Sequence, residues 1–195
     1  MSDHREMVFS GIGVYLRGLE ENDLTLRPKW FNDPEINRTL LMDYPISLAT
    51  TMAWFRRAAQ EQHHSRIDLS ICDTATDRVI GMTGLLRIDR RHLHAQFYMT
   101  IGEKDYWGRH IPDEVIPMVL RYAFGNLNLN KIYLWTIPAN THARRVYERN
   151  GFVQEACMAQ HFYCRGALQD IYQHRILKEE WLKDAPRKKT SEGGD

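Results

Sequence analysis

Two residues in the last third of the chain combine reactive side chains with a spacing that brings them together. Asn140 is a good helix N-cap, and Tyr147 follows two helical turns later in a predicted helix over residues 140–149. An amide and a phenol therefore lie on nearly the same helix face. From spacing alone, the favoured interpretation is a capped amphipathic helix in which Val146 and Tyr147 pack into the core.

The loop between Ile101 and Asp113 is a second place where the sequence predicts binding. It joins a predicted strand to a predicted helix, and Pro112 suits the first helical turn. Unpaired backbone N–H groups and the helix dipole make such a helix start an anion site, for which phosphates are the natural ligands. Every strand–loop–helix unit has such an end, so this pattern does not by itself distinguish a phosphate site from a hydrated one.

The elements that must position these residues follow from hydrophobic periodicity and from turn-forming residues. A first helix runs through Trp30 and Phe31 and stops near residues 33–34, and the turn formers 73–77 join two strands as a hairpin. The order indicates an α+β, or mixed α/β, domain with a largely antiparallel central sheet and flanking helices. Strands are predicted at 14–19, 66–72, 79–86, 93–101, 131–136, 152 onward and 169–177, and further helices at 47–62, 113–124 and 140–149.

Composition limits the class of protein. Of 195 residues, 43% are hydrophobic and 26% charged, as in one globular domain, which we expect to span 1–183 ahead of a disordered polar tail at 184–195. The formal net charge of +1 gives no global basic face for nucleic acid. Three cysteines without a CxxC pair suit reduced thiols better than zinc or disulfides, and no stretch approaches the roughly 20 apolar residues that span a bilayer. We expect a cytoplasmic protein without a metal, nucleic-acid or membrane partner.

Two long segments together carry a family resemblance. Residues 131–152 read KIYLWTIPANTHARRVYERNGF, and residues 81–114 read GMTGLLRIDRRHLHAQFYMTIGEKDYWGRHIPDE. The first resembles the segment of GNAT-superfamily N-acetyltransferases in which an Asn precedes a helix that carries a Tyr and ends in Gly-Phe. The second is similar to the family's central hairpin and coenzyme A pyrophosphate loop. The likeness covers 14–181 and is closest to the RimJ/RimL-like branch, which includes acetyltransferases for ribosomal-protein N-termini, spermidine and aminosugars.

The resemblance implies a GNAT fold with acetyl-CoA in a V-shaped opening, where strand 97–101 splays away from Lys131–Thr136. Main chain at Met99 and Ile101 then pairs with the pantetheine amides, as in strand addition. Asn140 bonds the pantetheine arm. Tyr147 lies beside the thioester sulfur, where a phenol with a reference pKa of about 10 can protonate the leaving thiolate as general acid. Direct attack by a neutral amine needs no protein nucleophile. The further implied cofactor contacts are Thr100, Trp107, Gly108, Arg109, His110, Ile111 and Arg144.

The predicted phosphate loop departs from the family pattern Q/R-x-x-G-x-G/A, because residues 107–112 read WGRHIP. His110 carries a Cβ where glycine lets the backbone approach phosphate, and Pro112 lacks an N–H donor. Arg109 or His110 can compensate by contacting phosphate through its side chain. A non-catalytic acyl-CoA-binding or regulatory domain is the alternative that this loop leaves open.

The general base is the second departure. Relatives often carry Glu where this chain has Gln96, and an amide cannot accept the proton that the acceptor ammonium must lose. The candidates are Glu103, which we take as the catalytic choice, with Asp43, His92, His94 or a chain of water molecules. His92 and His94 share a strand face, but a solvated pair is favoured over a metal site.

The acceptor is expected to be a small-molecule or peptide amine that binds between the early helices and the late hairpin. The predicted contacts are Trp30, Asp43, Tyr44, Gln96 and Tyr163. Aromatic residues suit a sugar nucleotide or a peptide N-terminus, and a few acidic residues suit a polyamine, so the three classes stay open. Apolar residues late in the chain leave room for a homodimer.

Overall fold

A twisted open sheet organises the computed structural model, which describes residues 9–40, 42, 45–62, 64–164 and 166–184. Within these residues eight strands lie in the order β1-β2-β3-β4-β5-β6-β8-β7. Every neighbouring pair is antiparallel except β5 and β6, which are parallel. The strands are β1 Phe9–Ser10, β2 Val14–Gly18, β3 Ile67–Asp73, β4 Val79–Asp89, β5 His94–Ile101, β6 Lys131–Thr136, β7 Val153–Cys164 and β8 Ala167–Leu177. The predicted mixed α/β class with a largely antiparallel sheet is confirmed.

The parallel pair β5 and β6 holds together at one end only. Its register is limited to His94↔Lys131, Ala95↔Ile132 and Gln96↔Tyr133. Beyond these pairs the two strands continue without bonding each other, so a wedge opens in the middle of the sheet. This wedge is the splayed opening that the sequence predicted.

Six α-helices in the described residues flank the sheet: α1 Leu26–Phe31, α2 Pro34–Asn37, α3 Leu48–Glu61, α4 Ile111–Arg121, α5 Thr141–Arg149 and α6 Lys178–Asp184. Ser47 caps α3 as predicted, through its side-chain bond to the Thr50 N–H. The predicted helix end near residue 33 is followed directly by a second helix. The Asp33 carboxylate accepts the Glu35 and Ile36 N–H groups and so caps the start of α2. Strand β1 and helices α2 and α6 were not predicted. The expected tail lies outside the described residues apart from Asp184, which ends α6.

Two apolar clusters hold the helices on the sheet. Helices α4 and α5 contribute to the larger cluster, and α1, α2 and α3 contribute to the smaller one, which is built around Trp30, Phe31, Ile36 and Met82. Strand β5 serves both because alternate side chains point to opposite faces. Phe97 and Met99 contact the larger cluster, and Tyr98 contacts the smaller. The wedge therefore has one helix layer on each side of it.

Gly102, directly after β5, is where the early helices approach the sheet most closely. A Cβ on this residue would lie 2.0 Å from Cδ2 of the Trp30 indole, which is 1% exposed. We expect Gly102→Ala to lower the free energy of unfolding by about 1–3 kcal/mol, because the indole must shift out of a packed site. Thermal or urea unfolding measures this.

Gly125→Ala is the matched control, since a Cβ there meets no heavy atom within 4 Å. We expect this variant to be neutral or slightly stabilising. Equal melting temperatures for the two variants would show that Trp30 does not press on Gly102.

Candidate active site

The wedge between β5 and β6 forms a cleft with a volume of about 410 Å³. Its walls come from the end of β5, the loop before α4, the start of α5, and α2 with the residues that follow it. The lining residues are Glu35, Ile36, Arg38, Thr39, Leu40, Met99, Thr100, Ile101, Tyr106, Trp107, Gly108, Pro112, Ala139, Asn140, Thr141, His142, Ala143, Val146 and Tyr147. The predicted cofactor residues Met99, Thr100, Ile101, Trp107, Gly108, Asn140 and Tyr147 thus share one cavity.

Backbone on the β6 side of β5 is open along this cleft, because strand pairing with β6 stops at Gln96. The carbonyl of Ile101, at the end of β5, is bonded by a side chain and not by a strand: the Trp107 indole Nε1 donates to Ile101 O at 3.0 Å. Trp107 is itself 41% exposed. A carbonyl oxygen has two lone pairs, so Ile101 can still accept a bond from a ligand amide.

Tyr147 is held by α5 deep in the cleft, with 8% of its surface exposed. Its ring packs edge-on against Phe97 at 6.2 Å and Phe152 at 5.8 Å between centroids. No described residue hydrogen-bonds its hydroxyl, and burial alone raises the pKa of Tyr147 to about 12. The phenol therefore stays protonated at neutral pH and has its proton free for a ligand.

Asn140 fixes the start of α5, as predicted from its residue type. Its side-chain oxygen accepts the Ala143 N–H at 3.2 Å, and its own N–H donates to Ile137 O at 3.0 Å. The helix ends at Arg149, and Gly151 beyond its C-cap has a φ of +86°, the left-handed conformation that glycine tolerates. No described residue bonds the Asn140 side-chain NH₂, so it is the donor that this residue can offer to a ligand.

The loop before α4 turns through two left-handed residues. Gly108 has φ +77°, and His110 has φ 59° and ψ 18° at the N-cap of α4. Histidine tolerates this region better than most residues with a Cβ, although it lacks the freedom of glycine. Pro112 lies in the first helical turn. The backbone at His110 thus follows the path that a glycine would take.

Asp113 holds this loop to the end of α5. The Asp113 carboxylate accepts hydrogen bonds from the Arg149 guanidinium at 2.8 Å and from the Asn150 amide at 2.7 Å. It also pairs with His110 Nδ1 at 2.9 Å. Burial raises the pKa of Asp113, but these bonds outweigh burial and the net shift is downward. The His110 side chain therefore faces Asp113.

Four predicted cofactor contacts do not line the cavity: Arg109, His110, Ile111 and Arg144. Arg109 lies with its guanidinium 5.0 Å from the centroid of the Tyr106 ring. Ile111 is 6% exposed and belongs to the larger apolar cluster. Arg144 is 4.9 Å from the Tyr172 ring centroid, and its Nε is buried without a partner.

Glu103 and Trp30 are not where the sequence placed them, because both lie outside the cavity lining. The Glu103 carboxylate is 6% exposed and accepts bonds from Trp30 Nε1 at 2.8 Å, from Lys29 Nζ at 2.8 Å and from Arg78. Burial raises the pKa of Glu103, but the bond from Lys29 and the other donors reverse the shift and lower it. Glu103 thus anchors α1 to the end of β5, and Trp30 is a core residue rather than an acceptor contact.

The other predicted acceptor residues are dispersed. Gln96 is half-buried where β5 and β6 part, and Tyr163 is 67% exposed on β7 outside the cavity lining. Asp43 and Tyr44 lie outside the described residues. The rings of His92 and His94 stack at 6.4 Å, yet among the described residues no group of three or more potential ligands is placed to hold a metal.

Sequence reasoning missed the wall formed by α2 and the residues after it. Glu35, Arg38 and Leu40 reach the cavity from there. The available signal was Asp33-Pro34, which starts a helix as readily as it ends one.

No helix among the described residues is long and apolar enough to cross a membrane.

Comparison with known proteins agrees with this geometry. The family profile described as an acetyltransferase (GNAT) domain matches residues 14–153. The N-acetyltransferase p20 of Bacillus licheniformis is 26% identical over 171 residues, covering 85% of this chain and 93% of the relative. The spermidine N(1)-acetyltransferase of Vibrio cholerae is 32% identical over 112 residues, covering 57% and 64%.

A solved structure extends the agreement to three dimensions. The crystal structure of spermidine N-acetyltransferase from Vibrio cholerae in complex with CoA and spermine superposes with a TM-score of 0.81 at 27% identity, covering 87% of this chain and 98% of that one. The expected GNAT fold, the acetyltransferase class and the co-substrate are confirmed together. The chain belongs to the GNAT acetyltransferase family, as an N-acetyltransferase with acetyl-CoA as its co-substrate.

Proposed function

We propose that this N-acetyltransferase works by direct attack of a primary amine on the acetyl-CoA thioester, with Tyr147 as general acid. The observation that carries the proposal is the Tyr147 hydroxyl, which lies in the cleft without a hydrogen-bond partner among the described residues. The amine nitrogen bonds the carbonyl carbon, the C–S bond breaks, and the departing sulfur takes the phenol proton. The new ammonium loses its proton to water, and Tyr147 regains one from solvent.

The raised pKa of Tyr147 is compatible with this role. An ordinary thiol has a pKa of about 8.5, so full transfer from a phenol near 12 to a thiolate in water would be uphill. The cleft changes the comparison, because the burial that disfavours a phenolate also disfavours a thiolate. The proton then moves as the C–S bond breaks and not before.

We place the cofactor along β5 and at the start of α4 and α5. Met99 and Ile101 offer main-chain groups to the pantetheine arm, and Thr100, which pairs with Met82 on β4, lines the cavity between them. The Asn140 NH₂ donates to one of the carbonyls of the arm. The loop 107–111, with Trp107, Gly108, Arg109, His110 and Ile111, takes the pyrophosphate, with Arg144 as a further basic group. The N-terminus of α4 favours this negative charge.

Deprotonation of the acceptor is assigned to water in the open cleft. Both Glu103 oxygens are engaged by cationic or indole donors, which leaves that carboxylate a weak base. Gln96 cannot accept the proton. The cleft-lining carboxylate Glu35 is bonded to Lys104 Nζ at 2.8 Å.

The acceptor class and the branch of the family are proposed from the resemblance of this chain to known acetyltransferases. We assign the chain to the RimJ/RimL-like branch, as one catalytic domain over residues 1–183 that acts on a small-molecule or peptide amine. Similarity to the spermidine enzyme makes a polyamine the first acceptor to test, ahead of a peptide N-terminus and an aminosugar nucleotide. Exposed apolar residues on the β7–β8 hairpin, Val153, Tyr163 and Leu168, support self-association as a homodimer.

The test is calorimetric titration with acetyl-CoA, followed by thiol release against a panel of amines. We expect saturable cofactor binding and acetyl transfer to at least one amine class. No binding at millimolar acetyl-CoA would overturn the proposal.

Tyr147→Phe removes the proton and keeps the ring. We expect kcat to fall by about 10²-fold or more while the affinity for acetyl-CoA stays within about twofold. Because burial raises the pKa of Tyr147 to about 12, the wild-type rate should rise with pH as the amine deprotonates, with no loss due to Tyr147 below about pH 11. Steady-state kinetics from pH 6 to about pH 10 measures both effects.

Tyr122→Phe is the control for loss of a phenol outside the cleft, since Tyr122 follows the end of α4 and does not line the cavity. Its turnover should match the wild type. Unchanged turnover in Tyr147→Phe would place the acid elsewhere.

His110→Gly restores glycine at the left-handed position of the phosphate loop. We expect acetyl-CoA to bind roughly two- to fivefold more tightly, because without a Cβ at residue 110 the loop backbone can approach phosphate more closely. Calorimetry gives the Kd.

His110→Ala is the comparison variant, because it removes the imidazole and its Asp113 contact but keeps a Cβ. It should not tighten binding. Weaker binding in both variants would mean that the imidazole itself contacts the cofactor.

A further inference from the structure

Arg38 lies on the wall of the cleft formed by α2 and the residues after it. Its neighbours Ile36 and Leu40 pack in the smaller apolar cluster, whereas α4 and α5 contribute to the larger cluster on the other face of the sheet. Arg38 and both neighbours line the same cavity as Tyr147. An acceptor whose amine meets the thioester beside Tyr147 therefore shares the cavity with Arg38, which comes from the helix layer opposite α4 and α5.

The backbone that carries Arg38 is fixed to the end of α1. The Asn37 side chain is 1% exposed and donates from Nδ2 to Phe31 O at 3.0 Å. The Arg38 N–H donates to Pro34 O at 3.1 Å, and the Leu40 N–H donates to Asn37 O at 3.0 Å. Arg38 thus enters the cavity from an anchored segment, as binding residues on loops of a rigid scaffold do.

The charge of Arg38 is not neutralised by any described residue. Glu35 precedes it by three residues, a spacing at which opposite charges on a helix can pair. The Glu35 carboxylate instead accepts Lys104 Nζ at 2.8 Å, and Lys104 also pairs with Asp33 at 2.8 Å. Among the described residues the Arg38 guanidinium makes no hydrogen bond, ion pair or ring contact. Lys104 therefore holds the lining carboxylate that would otherwise balance Arg38.

The surroundings of Arg38 are suited to binding an anion. Most exposed arginines are simply hydrated, but this one lines a concave site whose walls include the apolar side chains of Ile36, Leu40, Met99 and Val146. A charge interaction in such a cleft is stronger than on an open surface, because less water screens it. A guanidinium also presents a planar fork that bonds a carboxylate or a phosphate in two places.

We propose that Arg38 binds an anionic group of the acceptor, so that the acceptor is a primary amine that carries a carboxylate or a phosphate rather than a polycation. A polyamine needs carboxylates to replace its hydration, and Glu35, the carboxylate among the described lining residues, is already bonded by Lys104. The phosphates of acetyl-CoA are the competing anion, but they are placed at the start of α4, in the opposite helix layer. This inference rests on the acetyl transfer proposed above and adds the charge of its substrate.

The first experiment compares acceptors that differ only in the anionic group, by thiol release with the full chain and saturating acetyl-CoA. β-Alanine, γ-aminobutyrate and ε-aminocaproate are each paired with the corresponding amide, O-phosphoethanolamine is paired with ethanolamine, and spermidine is the polycation. Per unit of neutral amine, we expect kcat/KM for at least one anionic member to exceed that of its partner and of spermidine by about tenfold or more. The pair that responds tells carboxylate from phosphate and gives the spacing between amine and anion. Equal rates within every pair, or a preference for spermidine, would overturn the proposal.

Arg38→Gln tests the residue itself. The ratio of kcat/KM between the preferred anionic acceptor and its neutral partner should fall to about twofold or less, because the charge and the fork are lost. Arg38→Lys keeps the charge without the fork and should retain part of the ratio. Arg56→Gln, exposed on α3 and outside the cavity lining, is the matched control and should keep the full ratio. An equal loss for charged and neutral acceptors in Arg38→Gln would assign Arg38 a structural role and refute the proposal.

The affinity for acetyl-CoA distinguishes the two sources of an anion. In Arg38→Gln the Kd for acetyl-CoA, measured by calorimetry, should stay within about twofold of the wild type. A weakening of about tenfold or more, with the acceptor ratio unchanged, would assign Arg38 to the phosphates of the cofactor and contradict the proposal.

Lys104→Gln tests why Arg38 is left without a partner. Loss of the ammonium releases Glu35, which can then pair with Arg38 or meet a cationic acceptor. We expect the anionic preference to fall by about threefold or more, and kcat/KM for spermidine to rise. An unchanged preference would contradict the charge balance on which the proposal rests.

A binding measurement separates this inference from the catalytic mechanism. With CoA saturating its site, calorimetry with the same anionic acceptors should show binding of at least one to the wild type and at least about tenfold weaker binding to Arg38→Gln. That result would support the anion site even if no acetyl transfer were observed. Absence of binding, together with turnover of uncharged amines, would reject the anion site and leave the proposed function standing.

Discussion

β5 and β6 bond each other over three register pairs and then separate, and the rest of the site depends on that separation. Parallel strands in a closed sheet would satisfy each other's backbone groups along their full length. Here the second half of β5 keeps one side open, in a cleft where Met99, Thr100 and Ile101 are accessible. An unpaired strand side has an energetic cost in a buried position, which an extended ligand with amides of its own can offset.

The separation is maintained by packing on both sides of the sheet. On one side, the rings of Tyr147 and Phe152 pack against each other and against Phe97 of β5. On the other, Trp30 lies flat on Gly102 and bonds Glu103 just beyond the end of β5. Glu103, which the sequence predicted as the general base, thus joins α1 to the end of β5. The contacts that hold α1 on the sheet therefore also fix the position of the end of β5.

Local signals were sufficient for much of the fold, including the strand and the helix start that border the cleft. Strand Lys131–Thr136 and the cap at Asn140 follow from alternation and from residue type, and both lie where predicted. Short elements gave no comparable signal: β1 has two residues and α2 has four.

The errors in the site have a different cause. Glu103 is paired with residues 74, 73 and 25 positions away, and such contacts exist only after the chain has folded. A carboxylate near a predicted cleft looks like a base until its partners are known.

The indole of Trp107 has a consequence that concerns solubility. An unpaired stretch of strand inside a sheet is chemically a sheet edge, and sheet edges recruit foreign strands into aggregates. Proteins usually guard outer edges with charge, proline or a bulge. This inner edge is guarded by its depth between two helix layers and by Trp107, whose N–H occupies the carbonyl at the strand's outer end. A slim cofactor arm can enter such a slot, whereas another polypeptide meets a bulky ring at the entrance.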